Sequence, residues 1–169
     1  NGARDFSNGY WYLDGTDDFA YRTDDPDFDY GTTTDFSVQL WYRNLGSDFF
    51  LIQKGYQYSS NAGWTIWYSD DAGKLYVHLG SETTHTQDGG ESWDSGWINV
   101  AVTVDRSSFV KIYKNGSLVT TDNDISTNHN LSTSSYLTIG GNNPFNSTSA
   151  ILNEFTGFLG PILIYSGLV

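Results

Sequence analysis

Apolar and polar residues alternate along most of this chain in short runs. Clusters of Gly, Asn, Asp and Ser separate the runs, and no stretch carries a helical period. The clearest run is Phe36 to Arg43. A strand there puts Phe36, Val38, Leu40 and Tyr42 on one face, and Ser37, Gln39, Trp41 and Arg43 on the other. Gly9 to Leu13 predicts an earlier strand, followed by the turn Asp14-Gly15-Thr16-Asp17-Asp18 and a return through Phe19 and Tyr21. Thr23 to Thr34 reads as an acidic loop around Pro26. Phe49 to Lys54 is expected to continue the sheet of the 36–43 strand. Trp64 to Ser69 and Lys74 to Leu79 form a hairpin around Asp70-Asp71-Ala72-Gly73, with Leu75, Val77 and Leu79 opposite Tyr76 and His78.

Trp97 to Val104 follows, with Ile98, Val100 and Val102 in phase. Phe109 to Tyr113 pairs with Ser117 to Thr121 across Asn115-Gly116, a favoured two-residue turn. Tyr136 to Gly140 is a strand, and Gly157 to Tyr165 closes the chain. Pro161 marks an edge or a bulge in that last strand, because proline has no N–H for a ladder. About a dozen short strands in one domain predict two packed antiparallel sheets: an all-β sandwich or jelly roll.

The 169 residues fit one domain, 1–169, large enough to bury a core without disulfides. Cysteine is absent, which excludes disulfides, thiolate metal sites and a cysteine nucleophile. Methionine is absent even at position 1, as expected of a mature or excised piece of a longer product. Twenty acidic against eight basic residues give a net charge of −12, a field that repels nucleic acid and anionic membranes. No apolar run suits membrane insertion. Only Glu82, Glu91 and Glu154 are glutamate, and an aspartate-rich acid content belongs to loops and turns. Twelve Tyr, ten Phe and six Trp exceed the needs of the core and suit a surface that stacks on flat apolar faces.

Several segments, in order, resemble the concanavalin A-like lectin/glucanase superfamily and its laminin-G-like jelly rolls. They are Tyr12-Leu13-Asp14-Gly15-Thr16-Asp17-Asp18-Phe19, the strand Phe36 to Arg43, Trp97-Ile98-Asn99-Val100-Ala101-Val102-Thr103, Ile112-Tyr113-Lys114-Asn115-Gly116, Leu137-Thr138-Ile139-Gly140-Gly141, and Phe155 to Tyr165. The resemblance covers nearly the whole chain. It implies a two-sheet jelly roll and a glycan-binding or adhesive role beside larger partners, at an extracellular, cell or virion surface. It also implies an acid in the closing strand facing the opening acidic turn of Asp17 and Asp18. Gly160 stands there instead, which argues against a calcium site between the terminal strands.

Catalytic patterns are sparse. The hydrolases of the superfamily carry a Glu-x-Asp-x-Glu strand, which is missing here. Glu91 and Asp94 sit in a Gly-rich loop. A polysaccharide lyase would use a Tyr or His base, for which Tyr76 and His78 share a face, with Arg43 and Gln39 to neutralise a uronate. His78, His85 and His129 lack metal-ligand spacing, and no Gly-x-Ser-x-Gly elbow occurs. The chain therefore reads as non-catalytic.

The candidate ligand surface is an aromatic platform of Trp41, Trp67, Tyr76 and His78 flanked by Gln39 and Arg43, on the non-core phase of their strands. It forms only if those strands share a sheet. Trp64 and Trp97 are expected in the core, while Trp11 and Trp93 have no assigned face. The competing site is the loop rim, where Asp24, Asp25, Asp27 and Asp29 could gather on calcium; Asp122 and Asp124 form a second acidic loop. Sequons occur at Asn115, Asn130 and Asn146. Two roles remain open: a module binding a glycan or cell-surface polysaccharide, and a structural module contacting other protein chains of a virion, fibre or extracellular assembly.

Overall fold

A computed structural model describes residues 9–46, 49–55, 63–70, 73–80, 92–93, 96–122, 129–143, 146 and 152–169, and the backbone alone of 4–6 and 83–86. The strands are β1 (Arg4–Phe6), β2 (Tyr10–Asp14), β3 (Ala20–Arg22), β4 (Phe36–Asn44), β5 (Phe49–Gly55), β6 (Gly63–Ser69) and β7 (Lys74–Leu79). After these come β8 (Thr83–Thr86), β9 (Ile98–Asp105), β10 (Phe109–Lys114), β11 (Ser117–Asp122), β12 (Leu137–Ile139) and β13 (Thr156–Ser166). One 3-10 turn, Pro26–Phe28, sits in the expected acidic loop.

Two antiparallel sheets form a jelly-roll sandwich. One has seven strands in the order β1-β2-β13-β4-β9-β10-β11, and the other six in the order β3-β12-β5-β6-β7-β8. The Phe49–Lys54 strand thus crosses to the second sheet instead of extending that of β4. Both runs alternate alike, so phase alone could not assign their sheets. The strands β1 and β8 went unpredicted, since neither is long enough nor apolar enough to show a period.

The inner faces follow the alternation. Phe36, Val38, Leu40 and Tyr42 of β4 and Ile98, Val100, Val102 and Val104 of β9 are buried; so are Trp64 and Ile66 of β6 and Leu75, Val77 and Leu79 of β7. Asn115 and Gly116 take φ of 50° and 82°, the paired positive values that a tight hairpin between β10 and β11 requires. Trp93 is fully buried, and its carbonyl accepts a 2.7 Å hydrogen bond from the Tyr42 hydroxyl.

A buried ammonium holds the loop end of the core. Lys54 Nζ, wholly screened from solvent, donates to Asp24 Oδ1 at 2.6 Å and to the Thr133 and Ser135 carbonyls at 2.8 and 2.6 Å. Asp29 Oδ1 lies 3.6 Å away. One cation therefore ties the 23–34 loop and the segment before β12 to β5. Removing the ammonium takes the donor from two part-buried carbonyls, those of Thr133 and Ser135, a loss of about 1–3 kcal/mol for each acceptor left unsatisfied.

Beside it Tyr30 is buried flat against Phe36, ring centroids 4.2 Å apart. Burial, helped by the charge of Asp27, pushes the Tyr30 hydroxyl up to about 12. A phenol whose folded value lies above its unfolded value keeps its stabilising contribution below about pH 10 and loses it as pH rises toward 12. Thermal melts between pH 9 and pH 12 should therefore show a steeper alkaline fall in Tm for the native chain than for Tyr30→Phe. Parallel curves would contradict the assignment.

Candidate functional site

Strand pairing splits the expected platform in two. Gln39, Trp41 and Arg43 lie on β4, on the outer face of the seven-stranded sheet; Trp67, Tyr76 and His78 lie on β6 and β7, in the six-stranded sheet. The six residues cannot form one surface, because the whole core lies between them. The same split separates Tyr76 and His78 from Arg43 and Gln39, so the lyase constellation is not assembled. Glu91, Asp94 and Asp124 lie outside the described residues, as does the side chain of His85.

On the six-stranded sheet the rings use each other's faces. Phe50, Trp67 and Tyr76 are consecutive cross-strand partners. Trp67 stacks on Phe50 at 5.5 Å and on Tyr76 at 4.6 Å, nearly parallel to both. His78 leans against Trp67 at 5.9 Å. A tryptophan stacked on both sides offers a ligand its edge instead of its face. Next to this row, the Asn143 N–H donates to Gln53 Oε1 at 3.3 Å and Asn143 Nδ2 donates to Thr138 Oγ1 at 3.2 Å, so the segment after β12 closes over the sheet.

The seven-stranded sheet presents the opposite arrangement. Between Leu159 and Ile162 the register of β13 against β4 shifts, leaving Gly160 and Pro161 opposite the single residue Trp41. This is the bulge that Pro161 suggested. A Cβ on Gly160 would stand 2.9 Å from Trp41 Cβ and 3.7 Å from the Trp97 ring, so both indoles border bare backbone. Trp41 is 42% exposed and Trp97 40%. No other ring among the described residues stacks on Trp41, whereas Trp97 meets Tyr10 at 5.7 Å and Phe158 at 6.2 Å. Phe158 in turn contacts Tyr10 and Tyr12 at 5.4 and 5.1 Å. The result is an aromatic cluster across β2, β13 and the start of β9, with Trp41 of β4 beside it across the Gly160 backbone.

Polar groups border the cluster. The Arg43 guanidinium lies 6.0 Å from the Phe158 ring centre, and Gln39 Nε2 donates to Asn99 Oδ1 at 3.1 Å. Asn99 is itself fixed by Leu40 and Asn115. Trp97 corrects the sequence reading, which put it in the core. It stands one residue before Ile98, in the phase of Asn99, and that offset was the signal for an outward ring.

The loop-rim acids are committed elsewhere. Asp24 and Asp29 face the Lys54 ammonium. Asp25 pairs with Arg22 and caps the 3-10 turn; the N–H that Asp27 donates, and then the Arg22 charge, hold its carboxyl below the usual range. Asp27 is exposed and, unlike the other three, forms no ion pair with a cation among the described residues. Calcium asks for about six to eight oxygens, and a set already neutralised by Lys54 and Arg22 does not fit it. The carboxylates that do converge are Asp14, Asp17 and Asp18 in the opening turn, with ligand atoms within 4.8 Å of one another. Two of them already accept backbone hydrogen bonds, Asp18 from the Asp14 N–H and Asp14 from the Thr16 N–H.

The laminin G 3 family profile, described as the concanavalin A-like lectin/glucanases superfamily, matches residues 11–168. The chain belongs to that superfamily. No curated protein sequence matches this laminin-G-like domain significantly. Among solved structures it resembles the binding domain of botulinum neurotoxin serotype G, with a TM-score of 0.69 at 15% identity over 99% of this chain and 41% of that one. The binding domain of Paraclostridial Mosquitocidal Protein 1 gives 0.67 at 14% identity, over 95% and 40%. A botulinum neurotoxin type C structure, described by cell entry through two ganglioside molecules, gives 0.65 at 17% identity, over 99% and 41%. The domain thus spans about two fifths of the length of these chains, and at such identities the likeness concerns the fold.

The close approach at the bulge makes a specific demand. Gly160→Ala should displace Trp41, lower stability by about 1–2 kcal/mol in urea unfolding, and shift tryptophan emission. An unchanged midpoint and spectrum would show that Trp41 does not rest on the bulge.

Proposed function

We propose that this laminin-G-like domain is a non-catalytic glycan-binding module, with Trp41 and Trp97 as its stacking rings. The observation that carries the reading is the pair of exposed indoles bordering the bare Gly160 backbone, backed by Tyr10, Tyr12 and Phe158. The C–H face of a pyranose packs on an indole, while Arg43 and Gln39 stand where hydroxyls need donors and acceptors, Gln39 held in place by the buried Asn99. Exposed aromatic clusters of this size usually mark interaction surfaces. A bare backbone at Gly160 lets a flat ring approach both indoles at once.

The superfamily and the binding-domain neighbours support a recognition role, and one neighbour is described by its interaction with gangliosides, which are glycolipids. The same considerations support display outside a cell or on a virion. Calcium has no part in this reading, since the cluster contains no carboxylate.

A glycan array probed with the native domain and with Trp41→Ala, Trp97→Ala and Trp67→Ala tests it. Specific hits should survive EDTA, persist in Trp67→Ala, and weaken at least about tenfold in each of the other two variants, the loss of roughly one stacking contact. Silence across the array for a folded domain would sink the reading and favour a module that contacts protein chains.

A further inference from the structure

The bulge that exposes Gly160 has a second consequence on the sandwich's open side. Before it, β13 is a central strand: Thr156 to Leu159 pair with β2 on one side, and Gly157 to Leu159 with β4 on the other. After it, Ile162 to Ser166 pair with β4 alone. The strand β2 begins at Tyr10, and Gly9, at φ 80°, turns the chain away. No strand among the described residues takes the free side of Ile162–Ser166. At about 3.3 Å per residue these five residues offer about 16 Å of sheet edge.

Two clefts follow this edge and meet at Ile164. One, of about 390 Å³, is bounded by Trp11, Ile139, Leu159, Pro161, Ile162 and Ile164. The other, of about 480 Å³, runs from Ile164 and Ser166 to Phe28, Tyr30 and Asp27. Ile139, Ile162, Ile164 and Phe28 pack against the core yet stay only partly covered. Trp11, on the inner phase of β2, is 37% exposed beside them.

We propose that this edge receives an extended peptide segment of a partner protein, added antiparallel to β13 as an eighth strand. An unpaired ladder edge supplies the hydrogen bonds, and alternate side chains of the incoming strand enter the groove. The groove sets their chemistry. Opposite Ile162 and Ile164 they are β-branched and apolar. Opposite Ser166, where Asp27 is exposed, the side chain is Lys or Arg, as the domain's net charge of −12 also favours. The first cleft reaches the aromatic cluster at Tyr10 and Gly160, but the edge Ile162–Ser166 carries none of the rings that stack with Trp97, and the proposal does not rest on the glycan reading.

The probe is an acetylated, amidated, fluorescein-labelled hexapeptide, Lys-Thr-Val-Thr-Val-Thr. Binding is read by polarisation and by amide hydrogen exchange. The expected result is saturable binding with slowed exchange in Ile162–Ser166. Affinity should fall at least about tenfold when alternate peptide amides are N-methylated, when the peptide lysine becomes glutamate, and in Ile164→Glu. The N-methylated peptide keeps the test independent of how that protein variant folds. Equal binding by the N-methylated peptide, or no protection in β13 at millimolar peptide, would overturn the proposal. So would a concentration-dependent dimer that Ile164→Glu abolishes, because the edge would then belong to a second copy of the chain.

Discussion

The contact on which the molecule's surfaces depend is the packing of Trp41 against Gly160 in the bulge of β13. The last strand runs through the middle of the seven-stranded sheet, so that face exists only once the chain's end has docked. At Gly160-Pro161 two residues oppose Trp41 alone. Pro161 has no N–H to give to a ladder, and Gly160 has no side chain to push the indoles apart. This local irregularity holds Trp41 and Trp97 at the surface. It also lies where the pairing with β2 stops, leaving the second half of β13 as an edge. The two surfaces proposed for recognition thus share a structural origin, one facing outward and one at the mouth of the sandwich.

The fold around this contact is divided between ordinary burial and one polar anchor. Alternating apolar residues of β4, β9, β6 and β7 build the core. At its loop end, Lys54 gathers Asp24, Thr133 and Ser135. That ammonium also accounts for two carboxylates of the most acidic loop of the chain: Asp24 and Asp29 serve a buried charge of the protein itself. Four aspartates in six residues look like a metal loop in the sequence, but two of them face a lysine some thirty residues away in the chain and a third pairs with Arg22.

Much of the architecture was legible in the alternation of residues. The inward phases of β4, β7 and β9, the Asn115-Gly116 turn and the Pro161 bulge all follow from local chemistry. The sheet to which each strand belongs did not, because period-two patterns state a phase and not a neighbour. For that reason Trp41 and Trp67 looked like one platform and lie on opposite sides of the core. Trp97 was readable from its offset to Ile98 but was taken with its strand. The stacking of Trp67 between Phe50 and Tyr76 arises from register across three strands, which no single segment encodes.

The central claim is that the outer face of the seven-stranded sheet, and not the stacked row on the other sheet, is where a sugar ring sits. The six indole N–H signals in a proton–nitrogen correlation spectrum, assigned by single substitution, measure this directly. Titration with the strongest array glycan should move the Trp41 and Trp97 signals together and leave those of Trp64, Trp67 and Trp93 in place. Movement of Trp67 with Trp41 and Trp97 unchanged would contradict the account and transfer the site to the six-stranded sheet.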